Sequence, residues 1–254
     1  MKLKNKWLTI VDKLTFAFQP IVNINNGKVI GYESLLRDYK KAGFISIDEL
    51  FNKAYKEKTL YALDTLLREK ALALLRKLYQ KNDSFYMFYN IDNRILEMND
   101  YKNGITKKLL KKMGYKNDFI GFEISEKHEF KEFDEAQSVF EHYSKQGFSI
   151  IIDDFGTGLS GLKMLYYLEP QYIKIDRFFI TYILNDKKKR IFVKNIINMA
   201  HQLKIKVLAK GLETEEEFNI CKEIGCDMVQ GFYILRPIRD VDKLKFQYKS
   251  KIKS

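Results

Sequence analysis

The chain has 254 residues, 46 % of them hydrophobic, which fits one large domain with a substantial core. No run reaches the roughly 18–20 apolar residues of a membrane span. The basic start is broken at Lys13 and its polar neighbours before any signal-like apolar stretch, so a soluble, cytoplasmic protein is expected.

Strands are predicted at Thr15–Phe18, Val29–Leu35, Phe85–Ile91, Phe119–Ile124, Phe148–Ile152, Tyr172–Ile175, Lys206–Ala209 and Met228–Gln230, with helical periodicity between most of them. Asp64–Leu78 places Leu66, Leu67, Ala71, Leu74, Leu75 and Leu78 at three- and four-residue steps. Ile191–Leu203 repeats the pattern, and Glu215–Ile224 follows Thr214 as an N-cap. Strand–helix alternation around eight times in about 250 residues predicts a (β/α)₈ TIM-like barrel. An open doubly wound sheet is the alternative, but no glycine-rich phosphate loop follows the first strand. No linker or low-complexity block divides the chain, so residues 1–254 read as one domain with basic tails.

The most informative stretch is Ile150-Ile151-Ile152-Asp153-Asp154-Phe155-Gly156-Thr157-Gly158. A buried strand ends there in two carboxylates and a glycine-rich turn. Polar residues close other strands as well: Glu33, Asn90, Glu123, and the Lys174-Ile175-Asp176 run. In a barrel, working residues sit at the C-terminal strand ends, so these would converge on one site. The three histidines and two cysteines lie in no metal-ligand spacing, and Cys221 and Cys226 read as buried structural residues. Any metal site must then use oxygen ligands, which favours magnesium, manganese or calcium over zinc.

The formal charge is +12, which admits nucleic acid, acidic lipid or an anionic ligand as partner. The lysines are scattered among helices and tails. The densest run, Lys187-Lys188-Lys189-Arg190, reads as a solvated helix start, and direct DNA binding is not expected.

Taken together, the polar motifs resemble the EAL-domain family, the phosphodiesterases of the bacterial messenger cyclic di-GMP. The resemblance runs from about Phe16 to Pro237. Phe18-Gln19-Pro20-Ile21-Val22 resembles the opening Q-P-I-V, and Glu33-Ser34-Leu35-Leu36-Arg37 the signature E-A-L-L-R. Asn90 matches the strand-end asparagine, and Phe122-Glu123-Ile124-Ser125-Glu126 resembles L-E-I-T-E. The D-D-F-G-T-G block at 153–158 is unchanged. Ile173-Lys174-Ile175-Asp176 matches I-K-I-D, and Gln230-Gly231-Phe232 the closing Q-G-Y/F.

The resemblance implies a two-metal phosphodiester hydrolase, whose ions would be Mg²⁺ or Mn²⁺. Glu33, Asn90, Glu123, Asp153 and Asp154 would be the ligands, with Asp153 bridging. Lys174 would stand beside the attacking water or phosphate, and Glu126 would hold the loop after Asp154. Arg37, Gln19, Asp176 and Gln230 would contact the dinucleotide, Arg37 with the fork geometry suited to a phosphate.

One departure bears on the chemistry. The family's A-E-G-V-E-T block is Ala209-Lys210-Gly211-Leu212-Glu213-Thr214 here. Glu213 is retained, but Lys210 replaces the glutamate that serves the second metal and its water. Two unit charges about 4 Å apart interact by roughly 4 kcal/mol at an effective dielectric of 20, so the change turns attraction for a divalent ion into repulsion. Lys210 then sits in the second ion's place, paired with Asp153, Asp154 or Glu213, serves as a base once a metal deprotonates it, or turns away. The expected function is cyclic di-GMP binding with weak or absent hydrolysis, using one ion or none. A working phosphodiesterase that makes pGpG and a protein-interaction module that has lost the ligand are the alternatives. A homodimer and a protein partner stay open.

Overall fold

The computed structural model describes residues 3–125, 133–158 and 161–252. Eight strands close a barrel in sequence order. They are β1 (Thr15–Asn23), β2 (Val29–Arg37), β3 (Tyr86–Ile91), β4 (Ile120–Ser125), β5 (Ser149–Phe155), β6 (Tyr172–Ile175), β7 (Lys206–Leu212) and β8 (Met228–Gly231). The helices are α1 (Asn5–Lys13), α2 (Ile47–Lys56), α3 (Leu60–Lys81), α4 (Ile105–Met113), α5 (Phe133–Lys145), α6 (Gly161–Leu168), α7 (Arg177–Ile180), α8 (Lys187–Gln202) and α9 (Glu215–Glu223). The TIM-like barrel expected from the alternation is therefore the fold. The expected strands are all present, most of them longer by one to five residues. The capping box at the start of α9 forms as its sequence demands, Thr214 and Glu217 satisfying each other's backbone N–H groups.

One pairing departs from simple alternation. β1 runs antiparallel to both β2 and β8, while β2 to β8 pair in parallel. A short turn, not a helix, joins β1 to β2. β1 also continues through Pro20 to Asn23, past the end set by its sequence pattern. It meets β8 only at Val22 and Asn23, so the missing N–H of Pro20 falls outside that ladder.

The barrel interior follows a two-residue rule. Ile21, Phe88, Ile151, Leu208 and Met228 form a buried apolar layer, with Tyr172 packed against it. Gly31 and Gly121 complete the layer because side chains would not fit. A Cβ on Gly31 would stand 2.4 Å from the Phe88 ring, and one on Gly121 would stand 2.7 Å from Ile151. Strand residues two apart share a face. Stepping two residues along each parallel strand from this layer gives Glu33, Asn90, Glu123, Asp153, Lys174, Lys210 and Gln230. On β1, which runs the other way, the step is taken backwards from Ile21 to Gln19. A polar tier thus lies directly above an apolar one.

Candidate metal and ligand site

The polar tier is a network of acids threaded by two lysines. Lys174 is fully buried on β6 and donates to Glu33 Oε2 at 3.0 Å and Glu123 Oε1 at 2.6 Å, with Asp153 Oδ1 at 3.7 Å. Burial works against its charge, but Asp153, Glu123 and Glu33 outweigh that and hold its ammonium well above the ordinary lysine range. Glu33 is further fixed by Gln230 Nε2 at 2.6 Å and Asn90 Nδ2 at 3.0 Å. Burial pushes the Glu33 carboxyl up, yet Lys174, Lys210 and the Gln230 hydrogen bond bring it below the usual carboxylate range. Glu123 moves the other way, raised by burial and by Glu33 beside it more than Lys174 lowers it. Gln230 Nε2 also reaches Gln19 Oε1 at 3.3 Å, and Gln19 donates to the Leu235 carbonyl at 3.0 Å.

Lys210 lies further out on β7. Its Nζ stands 2.9 Å from both oxygens of Asp153 and 2.5 Å from Asp154 Oδ1. Burial and the neighbouring Lys174 lower its pKa, but Asp153, Glu33 and Asp154 together outweigh them, so the ammonium stays charged beyond the ordinary lysine range. Asp154 reaches this position from a left-handed backbone, φ 56°, which turns the chain as β5 ends.

A cavity of about 610 Å³ opens above the network, with Gln19, Glu33, Asn90, Asp153, Asp154, Lys210 and Gln230 in its wall. Arg37 lines it too and donates to the Leu36 carbonyl at 2.9 Å. Glu213 lines the cavity but pairs with Arg177 at 3.2 Å, away from the central acids. The Asp176 carboxylate caps α7, accepting from the Phe178 N–H at 2.8 Å. Glu126 lies outside the described residues. Sequence reasoning passed over one feature of the wall, Arg94. Asp92 pins it through its backbone N–H, Nε and Nη2, and Asn52 accepts from Nη1. The short Asp-x-Arg spacing was the only signal of it.

Two observations test the fit of a divalent ion. Glu33, Glu123 and Asp153 each bring a carboxylate oxygen within 4.8 Å of the others. Glu123 Oε2 is buried without a hydrogen-bond partner, an acceptor left open toward a cation. This donor set suits one hard ion. On the Asp153–Asp154 side the Lys210 ammonium spans both carboxylates.

The EAL domain family model matches residues 8–237. The chain belongs to the EAL domain family. Among relatives of this EAL domain, the probable cyclic di-GMP phosphodiesterase PdeN of Escherichia coli is 33 % identical over 231 residues, 89 % of this chain and 44 % of PdeN. The bifunctional diguanylate cyclase/cyclic di-GMP phosphodiesterase MucR of Pseudomonas aeruginosa is 28 % identical over 230 residues, 89 % of this chain and 33 % of MucR. This EAL domain therefore spans less than half the length of either relative. Among solved structures, the PaMucR phosphodiesterase bound to cyclic di-GMP superposes with a TM-score of 0.77 at 27 % identity, covering 91 % of this chain and 100 % of that one. The manganese/cyclic di-GMP complex of Klebsiella pneumoniae BlrP1 gives 0.78 at 28 % identity, covering 89 % and 56 %. No helix among the described residues is long and apolar enough to cross a membrane.

Proposed function

We propose that this EAL domain binds cyclic di-GMP in the cavity above the polar tier and hydrolyses it weakly or not at all. The observation that carries this reading is the Lys210 ammonium held between Asp153 and Asp154. Charge bookkeeping supports it. When all are ionised, Glu33, Glu123, Asp153 and Asp154 bring four negative charges against the two positive charges of Lys174 and Lys210. One divalent ion balances the remainder. A glutamate at position 210 would leave four negative charges, the balance for two ions.

Glu33, Asn90, Glu123 and Asp153 would hold a single Mg²⁺ or Mn²⁺. When bound, that ion would draw charge from a phosphate oxygen. Lys174 bridges Glu33 and Glu123 and favours the ionised form of Glu33. Gln230 and Gln19 fix the floor, and Arg37 supplies a fork for the phosphate at the mouth. Lys210 stays protonated among its acids, so it offers no base to take a proton from an attacking water. Groups that act as one unit are strongly non-additive, so a single missing member silences the set.

The test is turnover and metal count on the same sample. The wild-type chain is expected to bind cyclic di-GMP by calorimetric titration, bind one Mn²⁺, and release little or no pGpG. Lys210→Glu is expected to bind a second Mn²⁺ and gain manganese-dependent cleavage. Lys210→Glu combined with Glu33→Ala is expected to lose it again. Wild-type turnover at ordinary enzyme rates, unchanged by Lys210→Glu, would overturn the reading. It would favour a working phosphodiesterase, the second reading, which draws on the open Glu123 Oε2.

A further inference from the structure

Helix α4 contributes nothing to the polar tier, yet its outer face is strongly charged. Residues 101–117 hold six lysines, at positions 102, 107, 108, 111, 112 and 116, and no acid. All six are exposed. Four of them belong to α4, at i, i+1, i+4 and i+5, which at 3.6 residues per turn keeps them within about 140° of its circumference. Thr106, Leu109 and Leu110 are buried on the opposite face. The lysine face is therefore continuous, and the buried face fixes its direction outward.

The fold balances only part of this charge. Lys112 lies 3.0 Å from Glu69, and Lys116 lies 2.6 Å from Asp83. Lys102, Lys107, Lys108 and Lys111 pair with no acid among the described residues. Lys107 with Lys111, and Lys108 with Lys112, are like-charge pairs four residues apart, which weaken a helix. Lys111 and Lys112 suit the negative end of the helix dipole. Lys107 does not, because it sits in the first turn, which holds no acid. The folded chain thus gathers cations that repel one another, and an anionic surface laid across them would relieve that repulsion.

We propose that the lysine face of α4 docks on an anionic lipid bilayer. Headgroup charge attracts clustered lysines, each adding to the pull. The chemistry of the face narrows the choice of polyanion. No large apolar side chain is exposed among residues 98–120, so the face offers no aromatic platform to a single-stranded nucleic acid and nothing to enter the acyl layer. Its cations are lysines alone, point charges without the guanidinium fork that grips a discrete phosphate. A duplex carries its phosphates along the edges of grooves, whereas a bilayer is a plane of charge that a convex helix face can meet with all its lysines. A second copy presenting the same face would bring two lysine clusters together. α4 lies outside the barrel between β3 and β4, so docking there lays the barrel on its side and leaves the cavity mouth open to water. This surface is independent of the cyclic di-GMP reading and stands or fails without it.

The full chain is sedimented with phosphatidylcholine vesicles, with and without phosphatidylglycerol. Binding is expected only to the anionic vesicles and is expected to disappear at high salt, because no apolar side chain inserts. Lys107→Gln with Lys108→Gln and Lys111→Gln is expected to weaken it by roughly fivefold per lost cation, with the unfolding midpoint unchanged or higher. Lys13→Gln with Lys28→Gln and Lys206→Gln removes the same charge from three exposed sites on other parts of the chain and is expected to leave binding nearly unchanged. No binding to anionic vesicles by the folded chain would overturn the proposal. Equal losses from the two triple variants would overturn it too, since net charge and not this face would then be responsible. Binding to duplex DNA or to polyglutamate through these lysines, in place of vesicle binding, would also overturn it.

Discussion

The two lysines of the polar tier make an instructive pair. Lys174 and Lys210 each bridge two or more acids, and both are held charged by those acids. Their settings differ. Lys174 is sealed in the barrel, while the Lys210 side chain retains 25 % of its exposure. A buried cation among buried carboxylates belongs to the folding of the barrel, because each partner left alone would be an uncompensated charge. A cation at the cavity wall has water as a fallback. It can set ligand chemistry without carrying much of the fold. Substitution at the outer position is therefore expected to cost little stability, and substitution at the inner one far more.

That contrast can be broken by mutation. Lys174→Met leaves Glu33 and Glu123 buried without their cation and is expected to cost about 3–5 kcal/mol of stability, read from the midpoint of denaturant unfolding. Arg37→Ala tests whether affinity comes from the mouth or from the acid tier. It is expected to cost about 1.5–3 kcal/mol in cyclic di-GMP binding by calorimetry, with the unfolding midpoint unchanged. Lys210→Met closes the comparison. Water reaches Asp153 and Asp154 from the cavity, so the stability cost is expected to be about 1 kcal/mol or less. Equal losses from Lys174→Met and Lys210→Met would erase the distinction between the two positions.

Much of this site was legible in the sequence because strand geometry is simple. An acid or amide two residues beyond an inward apolar residue must lie on the same face, nearer the strand end. Asn90 and Asp153 obey that rule, while Glu33 and Glu123 follow glycines, Gly31 and Gly121, at the same step. The reversal of β1 carried a signal too: Gln19 precedes Ile21, whereas in β3, β5, β7 and β8 the apolar residue comes first. The pattern is two residues long and is easily missed in an apolar run broken by Pro20. The pairings of Lys210 were less legible. Charge alone pointed to Asp153, Asp154 or Glu213 as partners, and only packing separated them, by giving Glu213 to Arg177. The Lys187–Arg190 run opens α8 as a solvated helix start, as its sequence reads, and the contact of Lys189 over the Phe178 ring is the part that the sequence does not give.

The reversed first strand also decides the direction in which the chain threads the molecule. Thr15 pairs with Arg37, so β1 starts at the cavity end of the barrel and runs away from it. After β8 the chain passes Phe18, then Lys28, and Tyr248 donates its N–H to the Gly27 carbonyl at the far end. Thr15 and Ile252 thus lie at opposite poles. A protein fused ahead of α1 would join the barrel from the cavity side. One fused after residue 252 would hang from the closed end and leave the mouth clear.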